Sequence, residues 1–108
     1  MGKSWTSNNA DSTNTEAKIT IPAKPNGVAV EIEALEFSYD GTPTTPQLLT
    51  VESPENTIIR RWWVTAGGPG PISFSGSCIR GAAGQAMVIR LPADASRKGA
   101  VNATERGP

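Results

Sequence analysis

The chain has 108 residues with ten basic and ten acidic side chains, a size that suits one domain with a modest core. Eleven glycines and nine prolines are too many for a helical bundle and suit short strands joined by tight turns. No histidine is present, which removes the usual general base and the commonest metal ligand, and no apolar run approaches the length of a membrane helix.

Other broad features narrow the reading further. The start, MGKSWTSNNADSTNTEAK, has no apolar core of the kind a secretory signal needs. The single cysteine, Cys78, cannot form an internal disulfide framework and fits folding in a reducing compartment. Charge is unevenly spread. Residues 1–56 hold three lysines against eight acids, and residues 57–108 hold seven basic groups against two acids. The halves, at −5 and +5, cancel beyond a Debye length, so long-range attraction of nucleic acid is not expected. Close pairing is, either within the fold or between subunits.

In chain order, residues 1–16 are polar and aperiodic and read as an N-terminal arm. Trp5 is its only large apolar group. If the arm is ordered, contacts from outside its own domain must compensate the entropy lost, and Trp5 is the expected anchor in a groove of a neighbouring subunit or of a larger assembly that the protein joins. Residues 17–108 form the second unit. In AKITIPA, Ile19 and Ile21 share one face and Lys18 and Thr20 the other; Pro25-Asn26-Gly27 is a turn. Next, VAVEIEALEFSY sets Val28, Val30, Ile32 and Ala34 on one face with Glu31 and Glu33 opposite. From Leu35 the phase flips to Leu35, Phe37 and Tyr39, which calls for a β-bulge near Ala34 or a bend between sheets. Residues 40–46 form a loop. QLLTVES is a third strand with Leu49 and Val51 inward, and Pro54-Glu55-Asn56 a turn. TIIRRWWVT, ISFS and AMVIRL follow as strands, the last with Met87, Ile89 and Leu91 inward; GAVNAT is a weak seventh. Seven or eight short strands without a convincing helix indicate an all-β, β-sandwich or jelly-roll-like domain.

TIIRRWWVT carries the candidate site. Neighbours in a strand point to opposite faces, so the doublets Ile58-Ile59, Arg60-Arg61 and Trp62-Trp63 put one of each on either side. Both sides must then meet something apolar. One tryptophan belongs to the core; the other is left for a subunit interface or a ligand, since Trp and Arg are enriched in interface cores. Trp63 shares a face with Ile59 and is expected inside; Trp62, with Ile58 and Arg60, is expected at the interface. The interface candidates are Trp5, Arg60, Arg61, Trp62 and Trp63. The following AGGPGPI lacks the Gly-Lys-Ser/Thr of a phosphate loop and precedes no helix, so it reads as a turn that uses glycine for positive φ and proline for fixed φ.

The order KITIPA, FSYDGTPT, LLTVES, TAGGPGPISF, IRGAAGQAMVIRLPA, GAVNAT resembles small all-β virion proteins of tailed bacteriophages. The resemblance spans about residues 17–104, and the turn motifs SYDGTP and TAGGPGPI carry most of it. It implies an accessory structural subunit such as a capsid decoration or cement protein, located in the virion. Such a subunit is often a homotrimer bound to the major capsid protein. A neck, tail or baseplate component is the alternative address. From the residues themselves, a carbohydrate-binding sandwich using the exposed Trp is a further alternative. No enzyme is expected. Cys78 has no imidazole partner, and Glu31 and Glu33, although near a glycosidase spacing, imply no apolar pocket and read as a solvated or interface stripe. No cofactor or metal is expected.

Overall fold

The computed structural model describes residues 3–7, 12–68, 70, 72–73 and 78–106. The expected strand ISFS is described only over Ile72–Ser73, so Phe74 and Ser75 lie outside the described residues. The strands are β1 (Ser4–Thr6), β2 (Ala17–Ile21), β3 (Glu31–Tyr39), β4 (Gln47–Glu52), β5 (Ile58–Val64), β6 (Ile72–Ser73), β7 (Ile79–Arg80), β8 (Met87–Leu91) and β9 (Gly99–Glu105). They form two antiparallel sheets packed as a β-sandwich. One runs β1-β9-β3, with β6 and β7 pairing along β3; the other runs β2-β8-β4-β5.

Period-2 patterning builds the core. Ile19 and Ile21 of β2, Leu49 and Val51 of β4, and Met87, Ile89 and Leu91 of β8 all point inward and are buried. Facing them are Ile32, Leu35 and Tyr39 of β3 and Val101 and Ala103 of β9. Each large aliphatic so buried stabilises the fold by about 1.5–3 kcal/mol. The phase flip in β3 is a bulge. Ile32 pairs with Glu105 and Ala34 with Thr104, leaving Glu33 as the extra residue. The bulge lets Ile32 before it and Leu35, Phe37 and Tyr39 after it reach the same core. Glu31 and Glu33 lie outside, on either side of the buried Ile32. Val28, expected inward, is 51% exposed, because the strand begins only at Glu31 and the turn at Pro25–Gly27 carries Val28 past the sheet's end.

Two expectations need correction. The stretch GAVNAT, read as a weak seventh strand, is the seven-residue β9, central to its sheet between β1 and β3. Its small residues have poor strand preference, yet neighbours on both sides hold it, and context overrides propensity. A Cβ at Gly99 would come within 2.9 Å of Leu91 and 3.2 Å of Tyr39, so the lack of a side chain there is what lets the sheets close. In the loop after β5, the glycines Gly67, Gly68 and Gly70 do not adopt positive φ; Pro69 and Pro71 lie outside the described residues. Close approach is the reason for two of them. A Cβ on Gly67 would sit 2.3 Å from the Gly41 backbone, and one on Gly70 2.5 Å from the Phe37 ring. The Tyr39 amide donates to the Gly67 carbonyl at 3.0 Å and the Gly70 amide to the Phe37 carbonyl at 2.8 Å, so the loop extends the sheet along β3.

Candidate interaction edge

The four interface candidates between residues 60 and 63 lie on β5, which has β4 on one side and forms the edge of its sheet among the described residues. Its register contains a second bulge. Val51 pairs with Arg60 and Glu52 with Ile58, so Ile59 is the extra residue. A strict alternation would put Ile59 with Trp63; the bulge instead turns Ile59 and Trp62 toward the core, against which both pack half-buried. Trp62 lies opposite Leu49, a core residue. Trp63 lies opposite Leu48 on the outer face and is 67% exposed; Ile58, opposite Glu52, is 48% exposed. The expected roles of the two tryptophans are therefore exchanged, and the bulge is the physical cause.

Arg61 lies between them on the outer face, opposite Thr50. Both Arg60 and Arg61 are exposed. Arg60 folds back to donate to the Ile59 carbonyl at 3.0 Å. Among the described residues neither arginine is within 4.0 Å of a carboxylate, and Arg61 caps no aromatic ring.

Beside this edge, the outer face of the same sheet carries a satisfied ion network. Arg90 of β8 donates to Glu52 at 3.1 Å, to Glu16 at 3.0 Å and to Glu55 at 3.1 Å, and Lys18 reaches Glu55 at 2.9 Å. Burial pushes the Glu52 carboxyl up, but hydrogen bonds from Arg90, the Asn56 amide and Thr50 outweigh it and hold it below the ordinary carboxylate range. Its hydrogen bonds to Glu52 push the Arg90 guanidinium up. The opposite charges of the two chain halves thus meet inside the fold. Arg90, Arg80 and Glu105 of the second half find Glu16, Glu52, Glu55, Glu31 and Lys24 of the first. The β5 arginines take no part in this.

Trp5 is elsewhere. It sits on β1 opposite Ala103 of β9, half-buried against its own core. Its indole Nε1 donates to Glu105 Oε1 at 3.1 Å, and Lys3 Nζ lies 4.4 Å from the ring centroid. Lys24 pairs with the same carboxylate. Burial pushes Glu105 up, while the bonds from Lys24 and Trp5 and the Lys3 charge hold it below the ordinary range. The polar stretch before residue 17 is also tied to its own domain further on, through the Ser7 amide to the Val101 carbonyl at 3.0 Å and the Asn14 amide to the Asp94 carbonyl at 2.9 Å. Backbone pairing with β9, not apolar burial alone, compensates its ordering; a polar sequence with strand-compatible spacing gives little warning of that.

Clefts of about 430 and 300 Å³ flank this group, sharing Lys3, Lys24 and Glu105. Cys78 is half-buried and accepts from Arg106 at 3.5 Å. Among the described residues no group of His, Cys, Asp and Glu is placed to hold a metal ion.

No known protein family and no curated protein matches the sequence. In fold, the chain is similar to PirA, at 10% identity and TM-score 0.50, over 95% of this chain and 92% of that one. It is more distantly similar to the Yersinia pseudotuberculosis-derived mitogen, at 9% identity and TM-score 0.40, over 99% and 85% of the two chains. The coat protein of Tobacco streak virus aligns at 9% identity and TM-score 0.33, over 96% and 81%. At these identities the likeness is one of fold alone.

Proposed function

We propose that this protein is a non-enzymatic structural subunit of a phage particle, a β-sandwich that attaches to the assembled shell and stabilises it. The resemblance of its turn motifs to phage virion proteins supplies the address. The observation that carries the reading to residues is the β5 edge, where Trp63, 67% exposed, stands beside Arg61 and Ile58. A large apolar ring exposed to water next to a charge-bearing strand is the composition of an interface centre. Each contact with the shell stabilises the bound state by mass action and needs no chemistry. Self-association belongs to the same proposal, with a trimer as the state the resemblance implies; a symmetric oligomer engages several shell subunits at once, and weak contacts then add.

Titrating the purified protein onto shells that lack it tests the reading, with saturable binding as the expected result. A mass-spectrometric count of copies per virion separates the addresses, since hundreds mark a shell component and about a dozen or fewer a neck or tail part with its low-order symmetry. The same exposed Trp63 supports a second reading, a carbohydrate-binding module in which the indole stacks on a sugar ring. Binding to a glycan array with no binding to shells would favour it.

A further inference from the structure

We propose that the β5 edge binds an extended acidic segment of another protein by strand addition. The inference names the chemistry of the shell partner and rests on the proposed function for where that partner is found. Three observations carry it.

The first is backbone. β5 is seven residues long, contains no proline, and beyond its ladder with β4 makes no backbone hydrogen bond to another described residue. An edge of this kind offers a row of donors and acceptors to an incoming strand. The second is charge. Among the described residues Arg60 and Arg61 meet no carboxylate, while the acid–base pairs near this face are satisfied around Arg90. Opposite charges directly across a strand pair stabilise it and like charges oppose it. Two copies joined edge to edge would bring four guanidinium groups onto one seam. The edge therefore selects against itself and for a strand bearing carboxylates. The third is the spacing of Arg61 and Trp63, two residues apart on the outer face. An added strand meets them with side chains two apart, one acidic and one apolar, so alternation of acid and apolar residues is the pattern that fits.

The test uses the intact protein and two synthetic peptides of about ten residues, a usable strand length. In one, Glu alternates with Val; in the other, Lys replaces Glu; proline at each end stops the peptides pairing with themselves. Binding is followed by NMR titration and by amide exchange of residues 58–64. The Glu peptide should bind at least about tenfold more tightly than the Lys peptide, a difference of about 1.4 kcal/mol, and alternate β5 amides should slow in exchange. The double substitution Arg60→Glu and Arg61→Glu should reverse the preference, and Trp63→Ala should weaken the Glu peptide by about tenfold. No binding, equal binding of the two peptides, or shifts confined to the Lys3 and Lys24 cleft would overturn the proposal. Protection of β5 that rises with protein concentration alone would do the same, because it assigns the edge to a second copy. Shell binding unaffected by the double substitution sinks the edge while leaving the shell reading standing; peptide binding without shell binding does the reverse.

Discussion

Among the described residues the strands β1 and β5 are both edges, and both carry tryptophan with cations on the strand or beside it, yet they are finished differently. At β1 the tryptophan and the charges around it have partners. The Trp5 indole donates to Glu105, Lys3 covers the ring, and Lys24 neutralises the carboxylate. On β5 the Trp63 ring is 67% exposed and Arg61 beside it meets no carboxylate among the described residues. The contrast teaches what to count as evidence of function. An edge strand with Trp and Lys is not in itself an interface, because those residues can be used up in docking the strand to its own sheet. Function is indicated where the same residue types are held in place and left without internal partners.

If the comparison is right, the larger effect of removing one of the two contrasted rings, Trp5 or Trp63, falls on β1. Trp5→Ala removes a half-buried ring, leaves the buried Glu105 short of a donor, and frees a strand only three residues long. The expected cost is about 2–4 kcal/mol, read by urea unfolding, since a large aromatic deletion and an under-satisfied buried carboxylate act together. In hydrogen exchange the Val101 and Glu105 amides, bonded to the Ser7 hydroxyl and the Lys3 carbonyl, should lose protection first. A cost under about 0.5 kcal/mol, the range of ordinary surface changes, would mean that β1 is as idle as β5 and would break the comparison.

Much of this architecture was legible in the sequence, and each failure has a physical cause. Ile19, Leu49, Val51, Met87, Ile89 and Leu91 alternate without interruption, and all are buried as read. The β3 bulge left a visible trace, because a run long enough to show one phase and then the other announces the slip. The β5 bulge left none. It falls at Ile58-Ile59, a doublet in which shifting the phase exchanges one isoleucine for another, so hydropathy alone cannot register it. That silent slip exchanged the roles of Trp62 and Trp63. β1 was missed for a different reason. Ser-Trp-Thr has a polar-apolar-polar pattern too short to stand out, and what holds it is Glu105, one hundred positions away in sequence.

A second, smaller effect is expected from pH. Glu105 and Glu52 are both buried and both held below the ordinary carboxylate value of 4.5. A carboxyl whose folded value is depressed stabilises the fold above its unfolded value, and that contribution is lost as pH falls through the folded value, where the unfolded chain binds more protons. Stability should thus stay level from neutral pH down to about 5 and decline below it, given unfolded carboxylates near 4. Glu105→Gln keeps an acceptor for Trp5 but removes the charge facing Lys24. It should lower stability at neutral pH and shallow the acid decline, with no change in any binding that belongs to β5. A Glu105→Gln variant that loses peptide or shell binding while folded would show that the two edges are coupled.

The smallest expected effect is the most discriminating. Trp63→Ala should change the unfolding free energy by no more than about 0.5 kcal/mol, the range for exposed positions away from a packed contact. Trp62→Ala, one residue earlier, should cost about 3 kcal/mol as a deletion against the core. Adjacent identical residues differ here only in the face to which the Ile59 bulge assigns them, so the pair isolates geometry from composition. The alternatives separate cleanly under urea denaturation with unchanged m-values. Equal losses would mean that the Trp63 ring is held by packing on Leu48 more firmly than its exposure implies, and the edge would then be structural on both flanks. A loss at Trp63 alone would reverse the register read at Val51 and Glu52 and return the ring to the core. A near-zero cost at Trp63 together with weakened shell binding is the outcome that leaves an exposed indole with a role outside its own fold.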